Sequence, residues 1–208
     1  MLFGRSQEQT IALLIALIPA FTFHEFAHAW VAYRLGDPTA KNMGRLTLNP
    51  LKHLEVFGIL MVLTVGFGWA KPVMVNPANL RNGRRDMALV AVAGPLTNLL
   101  LAVVLAFLWR LVGVLDNRFV DDIVLTSIGL NVTLLFFNLI PLAPLDGFKA
   151  VVGWLPEGLS ELWARTAQAG PFVLMGLIFI GYLSPQYNVL ERLVVGPTQA
   201  LTLRLIGV

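Results

Sequence analysis

The chain has 208 residues, 57% of them hydrophobic and 13% charged, with a mean hydropathy of +0.74. A soluble domain is nearer 25% charged, so the composition excludes one and predicts an all-α polytopic membrane protein built as one domain, 1–208. The net charge of +3 does not suggest nucleic acid as a partner, because basic residues of membrane proteins mark cytoplasmic loops; the absence of cysteine excludes a disulfide framework and a cysteine-ligated metal.

Apolar segments fall at 9–33, 55–69, 87–112, 123–145 and 169–184. The first, third and fourth would be about 33–39 Å long as helices, enough to cross a hydrocarbon core of about 30 Å. The first lacks a small-x-small cleavage site followed by a polar domain, so it is expected to stay as a span. Segment 55–69 is about 22 Å long, short for a crossing, and is rich in Gly and β-branched residues (Gly58, Val62, Thr64, Val65, Gly66, Gly68). Segment 169–184, at about 24 Å, needs Ala164 to Gln168 to cross. About four to six transmembrane helices are expected.

The first segment holds His24-Glu25-Phe26-Ala27-His28. Histidines four apart share one face of a helix, so their imidazoles can hold one metal ion. Glu25 stands beside them, able to take a proton from water at that metal, which is the pattern of a zinc metalloprotease. Between the first and third spans, 41–80 reads as strands and turns. Arg45-Leu46-Thr47-Leu48 alternates, Asn49-Pro50 and Asn76-Pro77 signal turns, and Pro72 keeps Lys71 out of helix. This predicts a small membrane-associated β or re-entrant element after the helix that carries the histidines. His53 is expected at the surface or interface rather than as a ligand.

Charge sets the expected orientation. Residues 34–86 carry Arg34, Lys41, Arg45, Lys52, Lys71, Arg81, Arg84 and Arg85 against Asp37, Glu55 and Asp86, whereas the loop 113–122 carries Asp116, Asp121 and Asp122 against Arg118. The first stretch is then cytoplasmic and the second external.

A catalytic zinc typically has three protein ligands and one open position. The best third candidate is Asp146, at the end of the fourth span in Asn138-Leu-Ile-Pro141-Leu-Ala-Pro144-Leu-Asp146-Gly147, with Glu55 and Asp86 as fallbacks. His24 and Asp146 reach similar depth only if their spans run parallel, which requires 55–69 to make no net crossing. In the third span, Gly94 allows close helix approach. Asn98 is a polar amide that could serve a substrate carbonyl or the developing oxyanion, or hydrogen-bond a neighbouring helix.

These motifs resemble the site-2 protease family of intramembrane zinc metalloproteases. The matching residues are HEFAH at 24–28, the G-x-x-x-N of Gly94 to Asn98, and the N-x-x-P-x-x-P-L-D-G of Asn138 to Gly147. GRLTLNP at 44–50 and GWAKPV at 68–73 are similar to the compact bacterial and archaeal branch, which lacks a PDZ domain. The resemblance covers about 10–155. It implies one Zn2+ per chain held by His24, His28 and Asp146, Glu25 as general base, and Asn98 as a substrate-positioning residue. The implied substrates are transmembrane segments of other proteins, and the implied location is a multi-pass place in the cell membrane of a bacterium or archaeon. The catalytic core would span about 9–155, followed by a C-terminal span and tail at 156–208. The alternatives are a catalytically silent membrane scaffold with a retained metal site, or a transporter-like protein.

Overall fold

The computed structural model describes residues 6–64, 68–113 and 117–208. The helices in chain order are α1 (Gln7–Arg34), α2 (Thr39–Asn42), α3 (Val56–Thr64), α4 (Arg84–Val112), α5 (Arg118–Asn138), α6 (Asp146–Trp154), α7 (Glu157–Arg165), α8 (Gly170–Leu183) and α9 (Gly196–Ile206). Of these, α1, α4 and α5 are long and apolar enough to cross a membrane, and α7 with the turn after it and α8 form a bent pair that qualifies as a fourth. The described residues thus supply three or four candidate spans, fewer than the upper end of the sequence expectation.

Local chemistry starts α1 sharply. Ser6 accepts from the Gln9 amide while the Gln9 side chain accepts from the Ser6 amide, a reciprocal cap that satisfies two of the helix's free donors. The inward stripe of α1 is made of small residues, Ala12, Ala16, Ala20 and Ala29, all fully buried. Its outward face carries Ile11, Ile15 and Ile18, all exposed. Small side chains let neighbouring backbones approach, and exposed isoleucines suit a lipid surround. The same division recurs on α4, where Ala88, Ala102 and Ala106 face inward and Leu100, Phe107 and Leu111 face out.

Two pairs of hydrogen bonds give the topology. His24 meets Asn98 and His28 meets Val90, so α1 and α4 are antiparallel. Asn98 meets Asn131 and Trp109 meets Asp121, so α4 and α5 are antiparallel too. Hence α1 and α5 run the same way. The Arg81 amide donates to the Leu35 carbonyl, so the segment 35–83 leaves and re-enters the bundle at one end. It makes no net crossing, as the depth argument required.

The expected β element is not found: among the described residues there is no strand. The described residues of 44–80 include two 3-10 turns, Pro50–Lys52 and Pro77–Asn79, the short helix α3, and an irregular strap at 68–76. The turn signals were sound: Asn49 and Asn76 cap those two turns. The alternating residues instead wrap around side-chain anchors. Arg45 donates to the carbonyls of Lys52 and Pro72, and the Lys71 amide donates to the His53 carbonyl at 2.8 Å. Backbone groups satisfied singly in this way need no ladder. His53 is fully buried rather than interfacial, its Nε2 donating to the Thr47 carbonyl at 2.7 Å. Val65 and Gly66, and Asp116 of the acidic loop, lie outside the described residues.

The segment after 155 is part of the bundle. Leu201, Leu205 and Ile206 of α9 pack on the core made by Ala102, Ala106, Ile128 and Val132 of α4 and α5, and Leu174 of α8 reaches the cavity described next.

Candidate metal centre

His24 and His28 lie in the C-terminal half of α1, and Asp146 is the first residue of α6. Between α5 and α6 the chain turns through Pro141 and Pro144, and neither proline can continue a helix. Gly147 lets this turn close on itself: a Cβ there would overlap the Leu139 carbonyl oxygen. The result brings Asp146 Oδ2 to 3.1 Å from His24 Nε2 and 3.1 Å from His28 Nε2, while the two Nε2 atoms lie 3.0 Å apart. All three residues are buried.

The hydrogen bonds around this triangle turn both Nε2 atoms inward. His28 Nδ1 faces the Val90 carbonyl at 2.7 Å. A carbonyl only accepts, so Nδ1 carries the hydrogen and the Nε2 of the neutral ring is bare. His24 Nδ1 faces Asn98 Oδ1 at 2.6 Å, which leaves its Nε2 bare as well. With both rings neutral, two Nε2 lone pairs and a carboxylate oxygen converge on one point. A cation satisfies that arrangement. Tetrahedral zinc with bonds of about 2.0–2.1 Å holds its ligand atoms about 3.3 Å apart, close to the separations seen here. Gly94 of α4 completes the cradle: a Cβ there would overlap His28 Nε2 and lie 2.6 Å from His24 Nε2. The residues present fit a metal with three protein ligands and an open side.

That open side is a cavity of about 250 Å³ lined by His24, Glu25, His28, Asn138, Asp146 and Lys149, with apolar walls from Phe21, Met87, Leu134 and Leu174. The strap forms its cover through Trp69, Ala70, Pro72 and Val73. Glu25 is buried at the edge, its Oε2 accepting from the Val73 amide at 3.0 Å. The carboxylate is thus held beside the metal ligands by the strap.

The two fallback ligands are engaged elsewhere. Asp86 closes the start of α4 by accepting from the Asn82 backbone and side-chain amides, and Glu55 accepts from the Trp69 indole. Asn98 is fully buried among α1, α4 and α5 and is not part of the cavity lining. The amide that does line the cavity is Asn138. Sequence reading also missed Lys149, whose Nζ lies 3.4 Å from Asp146 Oδ1, the carboxylate oxygen turned away from the imidazoles. Its spacing of three from Asp146 on a helix was the available signal.

The family model for peptidase family M50 matches residues 12–121. This chain belongs to peptidase family M50. The site-2 protease resemblance read from HEFAH, Gly94 to Asn98 and Asn138 to Gly147 is borne out, and with it the assignment as a metalloendopeptidase. Three relatives bear names that begin "Putative zinc metalloprotease". The chain is 41% identical to YwhC of Bacillus subtilis over 175 residues, 81% of this chain and 80% of that one. It is 30% identical to Rip2 of Mycolicibacterium smegmatis, over 81% of this chain and 66% of the relative. It is 31% identical to MJ0611 of Methanocaldococcus jannaschii, over 83% and 78%. No solved structure is significantly similar to it.

Proposed function

We propose that this M50 peptidase holds one zinc ion on His24, His28 and Asp146 and cuts transmembrane segments of other membrane proteins, from a multi-pass position in the cell membrane of a bacterium or archaeon. The observation that carries the reading is the triangle of three buried ligand atoms, opening onto a cavity that Glu25 borders within a bundle of candidate spans. Polar groups are costly at that depth unless used. Zinc bound there would supply a Lewis acid that polarises the scissile carbonyl and brings the pKa of water toward about 7.

This chain's own residues do the rest. Glu25, held by the Val73 amide, accepts the proton of the attacking water and returns it to the leaving amine. The apolar walls around Phe21, Leu134 and Leu174 exclude bulk water and accept apolar side chains. Lys149 neutralises the outer oxygen of Asp146. A substrate helix must unwind before it enters, because its carbonyls are otherwise engaged in i to i−4 bonds.

The test is cleavage of a single-span substrate by purified protein in lipid vesicles, with the cut position mapped by mass spectrometry. A cut within the apolar span, lost on zinc chelation and regained with added zinc, is the expected result. A cut only in soluble flanks, or none under any zinc condition, would contradict it.

A further inference from the structure

Asn98 and Asn131 are both buried, the first fully, and belong to different helices, α4 and α5. Their hydrogen bonds form a single chain whose direction is forced at two points. Asn131 Nδ2 lies 2.8 Å from the Ser127 carbonyl, which only accepts, so Asn131 turns its Oδ1 toward Asn98. Asn98 must then present Nδ2 to it, at 2.7 Å. The same Nδ2 also reaches the Ala20 carbonyl at 3.2 Å, a second acceptor that forbids the flipped amide. Both Asn98 donors are spent, and its Oδ1 faces His24 Nδ1 at 2.6 Å. That nitrogen therefore bears a hydrogen, so in the neutral ring Nε2 is the nitrogen with the lone pair, and it faces Asp146.

We infer that Asn98 and Asn131 form a buried amide relay that sets the tautomer of His24 and aims its Nε2 at the metal. The inference rests on the metal reading proposed above and assigns Asn98 a positioning role through His24 instead of contact with substrate. His28 needs no such relay, because a backbone carbonyl, that of Val90, does the same for it directly. Partners behind a metal-ligating histidine typically contribute 10- to 100-fold in metal affinity.

The experiment is a pair of readouts on the full chain in detergent micelles. The chain has three histidines, so ¹⁵N-histidine labelling gives three ring signatures. Metal-free wild-type protein should show His24 as one Nδ1–H tautomer. Asn98→Ala and Asn131→Ala should both shift it to a mixture. Zinc affinity, measured against a competing chelator, should fall 10- to 100-fold in Asn98→Ala and by less in Asn131→Ala. If the two asparagines only hold helices together, the alanine variants lose thermal stability but keep the wild-type His24 signature and zinc affinity; that result overturns the inference, as does a mixed tautomer in the wild type. Should Asn98→Ala fail to fold, Asn131→Ala leaves Asn98 in place and decides alone. The metal-free ring signature reads the relay whether or not any substrate is cut, so a failure of the protease reading is distinguishable from a failure here.

Discussion

Replacing Gly94 by alanine probes the site without touching a ligand. The added methyl would overlap His28 Nε2 and lie 2.6 Å from His24 Nε2, so the imidazoles or α4 must move. Overpacking a tight contact costs typically 1–3 kcal/mol, and here the displaced atoms are the proposed ligands. Gly94→Ala should bind zinc at least 10-fold more weakly while α4 stays helical by circular dichroism; unchanged zinc affinity would show that the cradle is looser than the geometry states. Full-length alanine variants of His24, His28 and Asp146 should each lose most of the zinc measured by elemental analysis. Alanine at Glu55 or Asp86 should retain it, because those carboxylates serve the Trp69 indole and the start of α4.

At the scale of elements, the strap is held from behind by Asp37. This fully buried residue accepts from the Thr39 amide and hydroxyl, the Asn76 amide and the Asn79 side chain, joining the end of α1 to the base of the strap. Burial pushes its carboxyl up, but these four hydrogen bonds outweigh burial and hold it below the usual carboxylate range. The folded value is lower than the unfolded one. The stabilisation is therefore complete above the ordinary aspartate value near 3.9 and is lost as pH falls through the depressed folded value. Amide exchange in 68–79 should be flat from neutral pH to about 5, once corrected for the intrinsic rate, and protection should drop only in stronger acid. Asp37→Ala removes the shared acceptor of four hydrogen bonds from exposed and half-buried residues, each contributing about 0.5–1.5 kcal/mol net. It should expose the strap to exchange at neutral pH. Protection equal to wild type would mean that Arg45, the His53 carbonyl and Glu25 hold it without Asp37.

The whole molecule was legible in the sequence where periodicity and hydrophobic length carry the information, and less so where single side chains do. The spans α1, α4 and α5, the meeting of His24, His28 and Asp146, and the absence of a net crossing between α1 and α4 follow from segment length and ligand depth. The stretch 45–48 reads as strand because Arg45-Leu-Thr-Leu48 alternates; what ties this region together is the Arg45 guanidinium on the Lys52 and Pro72 carbonyls and the His53 carbonyl on the Lys71 amide, which no periodicity encodes. Asn98 was found, and a hydrogen bond to a neighbouring helix was one of its two readings, but which way its amide points depends on Asn131 and two distant carbonyls. Topology gives a further test at this scale. Cysteines at Lys41 and Arg84 should label from the same side of the membrane with an impermeant thiol reagent, and one at Asn117 from the other. The natural chain has no cysteine to blur the result.

The central claim is that one buried triangle binds the metal while Glu25 does the proton transfer, and Glu25→Gln separates the two. The variant keeps the shape of the side chain and removes its basicity. Zinc content and cleavage of a single-span substrate should be measured on the same purified sample beside wild type. The account predicts about one zinc per chain in both, with cleavage by the variant reduced 100-fold or more. Cleavage near the wild-type rate with zinc retained would contradict it.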